Sequence, residues 1–524
     1  MKVLITDPIS EEGVKKLKKR ATVDVATDLS ENELVEQIKD YDALIVRSGT
    51  QVTRKVINAA TKLKVIGRAG VGVDNIDVDA ATEKGIIVIN APEGNTISAA
   101  EHTIAMMLAL SRNIPQADIS LKSGKWNRSK FMGVEVHNKV LGVIGLGRVG
   151  TEVAKRAQGL GMQVLACDPF ISTERAEELG VQLTDMSEIL KKSDYITIHT
   201  PLNKDTRHLI SDEQLKKMKD GVRIINCARG GIIDEKALVK AIESGKVAGT
   251  ALDVFENEPL KDSPLLHLNN VIVTPHLGAS TREAQVNVAV TAAEGVLDAL
   301  KGGPVRNAVN MPSIKPETLA AIRPYLMLVE KLGSLCVQLV EGRINTVEVS
   351  YSGDVASMDT GPLTIAVLKG ILNRVLSEPV NFVNAPVIAK SRGIKVVESK
   401  IGATEDFADL ITVTAKTPKG KKSVAGTLFG KKDARIVRID GYHVDAVPSG
   451  HMLVSAHIDK PGIIGRVGTI LGENNINIAG MQVGREKTGG RAVMVLNVDS
   501  AVPDKILKQI EKVDGIFDVK PVVL

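Results

Sequence analysis

An apolar run, Lys139-Val140-Leu141-Gly142-Val143-Ile144, leads into Gly145-Leu146-Gly147-Arg148-Val149-Gly150 and then into a helix-favouring stretch over 151–157. Strand, glycine turn and helix in that order confine this part of the chain to a doubly wound α/β unit, in which the helix folds back onto a parallel sheet. Gly145 permits the tight turn, Gly147 lets the backbone approach a pyrophosphate, and Gly150 lets the helix pack against the strand. The free N–H groups of the helix then face the anion. A second strand over 162–167 ends in Asp168. Its carboxylate accepts hydrogen bonds from a ribose 2′-hydroxyl and repels a 2′-phosphate, so the pattern implies NAD rather than NADP. A glycine turn without a ligand leaves that aspartate unexplained.

Bulk properties narrow the rest. A net charge of +5 over 524 residues is too small for a nucleic-acid-binding surface, and 2% aromatic residues leave little for base stacking. No apolar run approaches the 18 residues a membrane span needs. Cys167, Cys227 and Cys336 are far apart and form neither a disulfide framework nor a metal-ligand pattern, which fits a reducing cytoplasm and no metal. The start, Met1 to Pro8, reads as a strand and turn rather than a signal peptide.

Strand and helix patterns alternate from the start, with apolar strands at 3–5, 43–46, 65–66 and 86–89. A long apolar helix over 97–110 bridges to the glycine-loop unit, whose strands end near Asp168, Thr200, Cys227, Asp253 and Pro275. A helix over 286–300 returns the chain to the first lobe. Gly302-Gly303-Pro304 and Pro312-Ser313 punctuate the sequence. Beyond them come helices over 316–340 and 362–376, four hairpin-like strands between 410 and 447, and a strand-helix-strand-strand-helix-strand pattern from His451. The expected fold class is α/β. It comprises two doubly wound parallel-sheet lobes (1–95 with 285–308, and 96–284), an α+β segment (309–448) and a βαββαβ module (449–524).

Oxidising a 2-hydroxy acid at such a site takes a base for the hydroxyl proton, a cation for the carboxylate, and a group that orients the base. His276 in Thr274-Pro275-His276-Leu277-Gly278, Arg229 in Asn226-Cys227-Ala228-Arg229-Gly230, and Glu258 in Phe255-Glu256-Asn257-Glu258-Pro259 suit those roles. A carboxylate bonded to one imidazole nitrogen fixes the tautomer, and a guanidinium holds a carboxylate bidentately. Singly, each residue reads more readily as a structural histidine, a surface acid and a salt-bridge partner. The case rests on all three lying at strand carboxyl ends of one nucleotide-binding unit. Arg47 and Arg68 also follow apolar strands, in the first lobe. They exceed what a hydroxy-monoacid needs and suit a substrate phosphate, unless they are surface arginines in salt bridges.

These segments, with Gly70-Val71-Gly72-Val73-Asp74-Asn75 and Asn90-Ala91-Pro92-Glu93-Gly94, resemble the D-isomer-specific 2-hydroxyacid dehydrogenase family in its long form, over essentially the whole chain. The resemblance implies a catalytic set of His276, Glu258 and Arg229. It implies NAD contacts at Gly145, Gly147, Arg148, Val149, Gly150, Asp168, Thr200, Cys227, Ala228, Arg229, Asp253, His276, Leu277, Gly278 and Ala279. Substrate contacts would come from Arg47, Arg68, the amides of Gly70, Val71 and Gly72, and Arg128 of a neighbouring subunit. The tail resembles an ACT regulatory module, in which His457, Asp459 and Asn477 would take serine across a dimer interface; otherwise Pro461-Gly462 is a plain turn and Asn477 a surface residue. The middle segment resembles an anion-binding intervening domain, with Lys421, Lys422, Lys431, Lys432, Arg435 and Arg438 as its basic groups, though lysine-rich turns are commonly just solvated.

The resemblance implies NAD-dependent oxidation of D-3-phosphoglycerate to 3-phosphohydroxypyruvate at the head of serine synthesis, under serine control, in a cytoplasmic homotetramer without nucleic-acid or membrane partners. Two rivals stay open. A glyoxylate or hydroxypyruvate reductase would accept unphosphorylated substrates equally well. A corepressor-like NAD sensor would bind the nucleotide without turnover.

Overall fold

Apolar runs without alternating polar positions belong in parallel sheets covered by helices on both faces. In the computed structural model, which describes residues 1–302, 305–312, 316–402, 406–430 and 432–524, the first lobe is such a sheet. Its strands are β1 (Lys2–Ile5), β2 (Thr22–Val25), β3 (Ala43–Val46), β4 (Val65–Arg68) and β5 (Ile87–Ile89), all parallel, in the order β2-β1-β3-β4-β5. Every residue of β3 is buried. Edge strand β2 was not anticipated, because Thr22 and Asp24 interrupt the apolar signal and no position in it is buried.

The second lobe has seven parallel strands: β6 (Val140–Ile144), β7 (Gln163–Cys167), β8 (Gln182–Leu183), β9 (Tyr195–Ile198), β10 (Val222–Asn226), β11 (Val247–Leu252) and β12 (Val271–Val273). Their order is β12-β11-β10-β9-β6-β7-β8. Strand order reverses between the hydrogen-bonded neighbours β6 and β9, so the connections leaving them diverge and open a crevice at the carboxyl ends.

Two helices join the lobes. Thr96–Arg112 buries Ala100, Met106, Met107 and Leu110 in the core of the second lobe. Arg282–Leu300 carries Ala293, Val296 and Leu297 into the core of the first, so the return expected from the sequence is present. Contact is close there: a Cβ on Gly67 would lie 2.6 Å from Val296 Cγ2.

A third sheet holds β13 (Thr346–Gly353), β14 (Lys395–Ile401), β15 (Asp409–Thr417), β16 (Gly420–Phe429), β17 (Asp433–Ile439) and β18 (Tyr442–Ala446), in the order β14-β13-β15-β16-β17-β18. Only β13 and β14 pair in parallel. Both lay outside the expected strands. β14 is an edge with no buried residue, whereas β13 does alternate, burying Val347, Val349 and Tyr351. The fourth sheet is antiparallel, with β19 (His451–Ile458), β20 (Ile478–Arg485), β21 (Arg491–Val498) and β22 (Ile516–Val523) in the order β20-β21-β19-β22. Helices Ile463–Glu473 and Asp504–Glu511 pack on one face. Met452, Val454, Val493, Val495 and Val522 on the other face join the core beneath helix Pro316–Leu339.

The fold is thus the expected α/β pair of parallel lobes followed by an α+β unit and a βαββαβ module. Gly303, Pro304, Ser313 and Lys431, named above as punctuation or basic groups, lie outside the described residues. Among the described residues no helix is long and apolar enough to cross a membrane.

Candidate active site

The glycine loop occupies the crevice at the end of β6. Gly145 has φ +90°, a left-handed conformation that L side chains rarely adopt, and a Cβ there would meet His199 O at 2.8 Å. A Cβ on Gly150 would meet Gly145 O at 2.1 Å, so only glycine lets the helix Arg148–Gly159 start this close to the strand. Gly147 differs: nothing lies within 4 Å of its Cβ position, which leaves an open approach to the N-terminus of the helix. Asp168, just past β7, accepts hydrogen bonds from Leu146 N–H and Phe170 N–H, both at 2.8 Å. Its carboxylate is therefore fixed against the loop. Thr200 Oγ1 is buried without a hydrogen-bond partner among the described residues. An open helix N-terminus, an anchored carboxylate and an orphaned hydroxyl suit the pyrophosphate and ribose of a dinucleotide.

His276 and Glu258 meet at the carboxyl end of the same sheet, with Nδ1 and Oε2 2.8 Å apart. Glu258 Oε1 also accepts Phe255 N–H at 3.0 Å. Burial raises the carboxyl pKa, but the bonds from His276 and Phe255 outweigh it and hold Glu258 below the ordinary value. An ionised carboxylate only accepts, so Nδ1 carries the hydrogen and a neutral ring keeps its lone pair on Nε2. The backbone of His276 is left-handed, with φ +55°. Its N–H donates to Asp253 O at 2.9 Å and Thr274 O at 3.0 Å. Asp253 is fully buried; its carboxylate accepts from Thr274 Oγ1, Leu277 N–H and Gly278 N–H at 2.6, 2.7 and 2.8 Å. The structure thus places Asp253 beneath the 276–279 backbone as its anchor. Burial, reinforced by Asp253, pushes the Cys227 thiol up to about 12, which keeps it protonated and non-nucleophilic at neutral pH.

A cleft of about 950 Å³ separates the lobes. His276, Glu258 and Arg229 line it from one side; Arg47, Arg68 and the Gly70–Gly72 turn line it from the other. Arg229 donates from Nε to Asp74 Oδ2 at 3.2 Å and from Nη1 to Ala228 O at 2.7 Å. Arg68 is the unusual member. Burial, then the like charges of Arg229 and Arg47, only partly offset by Asp74, bring its guanidinium from its ordinary value down to about 10, and its Nε has no partner among the described residues. An arginine satisfied by a surface salt bridge shows neither feature; a desolvated guanidinium beside like charges is suited to an anion. Gly70 N–H is already used, donating to Arg68 O at 2.8 Å. Val71 and Gly72 N–H find no acceptor among the described residues. Arg128 is exposed and does not line this cleft within one chain.

Comparison with known proteins gives this geometry its context. Residues 104–278 match the family model described as D-isomer specific 2-hydroxyacid dehydrogenase, NAD binding domain. Residues 321–440 match the D-3-phosphoglycerate dehydrogenase intervening domain and 451–515 the ACT domain. The chain is 51% identical over 520 residues to the D-3-phosphoglycerate dehydrogenase of Methanocaldococcus jannaschii, covering 99% of each protein. It is 52% identical over 528 residues to that of Archaeoglobus fulgidus, covering 100% of each. The chain belongs to the D-3-phosphoglycerate dehydrogenase family. A solved D-lactate dehydrogenase of Aquifex aeolicus, complexed with NAD and lactic acid, covers 59% of this chain and 100% of its own at TM-score 0.53 and 31% identity. This member of the family is accordingly an NAD-dependent dehydrogenase.

The regulatory candidates are not brought together in a single chain. Asp459 follows β19 and accepts from Arg485 Nη1 at 2.8 Å, at the far end of β20 from Asn477, which donates to Asp499 Oδ2 at 2.8 Å. His457 is buried, which lowers its pKa, and its Nδ1 lacks a partner among the described residues. In the intervening segment Lys422 pairs with Asp440 and Asp518, Arg435 with Asp433 and Arg438 with Asp406, so these cations are largely compensated. Sequence reasoning missed Asp7, which accepts Arg47 N–H at 2.5 Å and Thr50 N–H at 3.1 Å, and Asn75, which donates to Arg47 O at 2.8 Å. Asp7 follows the first apolar strand, so the strand-end rule that found Arg47 applies to it too.

Proposed function

We propose that this chain oxidises D-3-phosphoglycerate to 3-phosphohydroxypyruvate with NAD, opening the serine pathway. One observation carries the reading: a His276–Glu258 pair, with Arg229 on its side, faces a desolvated, partner-poor Arg68 across a single cleft. The carboxylate end of the substrate sits on Arg229 and the free Val71 and Gly72 amides. Its phosphate lies against Arg68 and Arg47, which Asp7 and Asn75 hold in place. His276 Nε2 takes the hydroxyl proton, while Glu258 stabilises the resulting imidazolium. Gly145, Gly147, Arg148, Val149, Gly150, Asp168, Thr200, the 227–229 turn and the 276–279 backbone above Asp253 hold NAD, which supplies the hydride acceptor when bound. The substrate lobe comprises 1–95 with 285–308, the NAD lobe 96–284, the intervening domain 309–448 and the ACT domain 449–524.

The working unit is a cytoplasmic homotetramer. Supporting this, Ile114, Ile119, Leu121, Trp126 and Met132 expose apolar surface beside Arg128, which does not line the cleft of its own chain. Asp459 and Asn477 likewise converge on serine only between paired chains. The test is NAD reduction with D-3-phosphoglycerate and with unphosphorylated glycerate, each with and without serine. Preference for the phosphorylated acid supports the assignment, and equal rates would refute the phosphate site. A rate indifferent to serine removes the effector role alone.

A further inference from the structure

One face of helix Thr96–Arg112 grips both ends of the loop that carries His276. Ser98 and His102 are four residues apart and therefore share that face. His102 Nε2 lies 3.2 Å from Thr274 Oγ1 and 3.2 Å from Asp253 Oδ1, at the start of the loop. Ser98 Oγ lies 2.7 Å from Thr281 Oγ1 at its end, where Thr281 caps the helix Arg282–Leu300.

Hydrogen-bond chemistry decides which atom donates. A carboxylate only accepts, and the one hydroxyl hydrogen of Thr274 already goes to Asp253 at 2.6 Å. His102 Nε2 must therefore carry a hydrogen and give it to this pair of acceptors. The group it braces is the fully buried carboxylate that holds Leu277 and Gly278 N–H, in the residue whose carbonyl receives His276 N–H. A non-glycine residue at φ +55° persists only where its surroundings over-determine it, and these bonds do so for His276.

We propose that His102, with Ser98, is a positioning residue: it clamps the 274–281 loop to the lobe-linking helix and so sets where His276 presents Nε2. The inference rests on His276 being the base. Since the clamping helix begins just after the last strand of the first lobe, it references the base to both lobes.

The test uses full-length His102→Leu, His102→Gln and Ser98→Ala, with calorimetric NAD titration counting folded sites. At saturating NAD and per NAD-binding site, His102→Leu should lose ~10-fold or more in kcat, the scale of a small misplacement of a reacting group, with the substrate KM held within about threefold. His102→Gln keeps a side-chain N–H donor and should recover most of the loss; Ser98→Ala should fall between. Wild-type kcat in His102→Leu overturns the clamp, as does a glutamine variant no better than leucine, provided the wild-type chain turns over. A wild-type chain that binds NAD but oxidises no hydroxy acid overturns the assigned reaction itself, and the clamp with it.

Discussion

At the scale of single residues, the site depends on which atoms are already committed. Glu258 leaves His276 one free nitrogen, so His276→Ala should cost roughly 10²–10⁴-fold in turnover while calorimetry finds NAD binding intact. Near-normal turnover would remove His276 as the base. Glu258 itself carries a pH signature. Its pKa in the fold lies below the ordinary 4.5, so its ionised form contributes stability above that value. The contribution is lost as pH falls through the lowered pKa. The thermal-midpoint gap between wild type and Glu258→Gln should therefore be full near neutrality and shrink in acid below 4.5; a gap independent of pH would contradict it. His276, Glu258 and Arg229 were readable because each lies in the loop that follows a strand of one unit. The commitment of Gly70 N–H to Arg68 O was not, since it depends on the turn's own conformation.

At the scale of elements, the glycine loop separates folding from binding. Gly150→Ala would drive a Cβ into Gly145 O, and overpacking of this kind costs about 1–3 kcal/mol. Melting temperature and NAD affinity should both drop. Gly147→Ala meets nothing within 4 Å, so its melting temperature should match wild type while NAD affinity falls, because the methyl occupies the approach to the helix N-terminus. Equal melting losses in the two variants would show that Gly147 is structural. Most elements were legible from periodicity. Those missed at sheet edges, β2, β8 and β14, bury nothing and so carry no periodic signal. β13 differs, carrying an alternating signal in Val347, Val349 and Tyr351 within a stretch that lies outside the expected strands.

At the scale of the molecule, the C-terminal sheet is covered on both faces, by its own helices and by the intervening domain. Lys422, held between Asp440 and Asp518, and Lys520, paired with Glu341, add polar ties between the two. Residues 449–524 expressed alone should therefore self-associate through the bared Met452, Val454, Val493, Val495 and Val522 face, beyond whatever pairing 316–524 shows with that face covered; sedimentation of both fragments checks this. A monomeric, cooperatively melting 449–524 would contradict it. By itself the sequence determined the two parallel lobes, the NAD loop with Asp168, and the residue types of the catalytic set, because those signals lie within a few residues of one another along a strand, turn or helix. Tertiary structure alone decided the pairing of Arg229 with Asp74 across 155 residues and of His102 with Thr274 across 172. It also decided the desolvation of Arg68 and the docking of the tail. These depend on which surfaces meet once apolar area is buried, and no local pattern encodes that meeting.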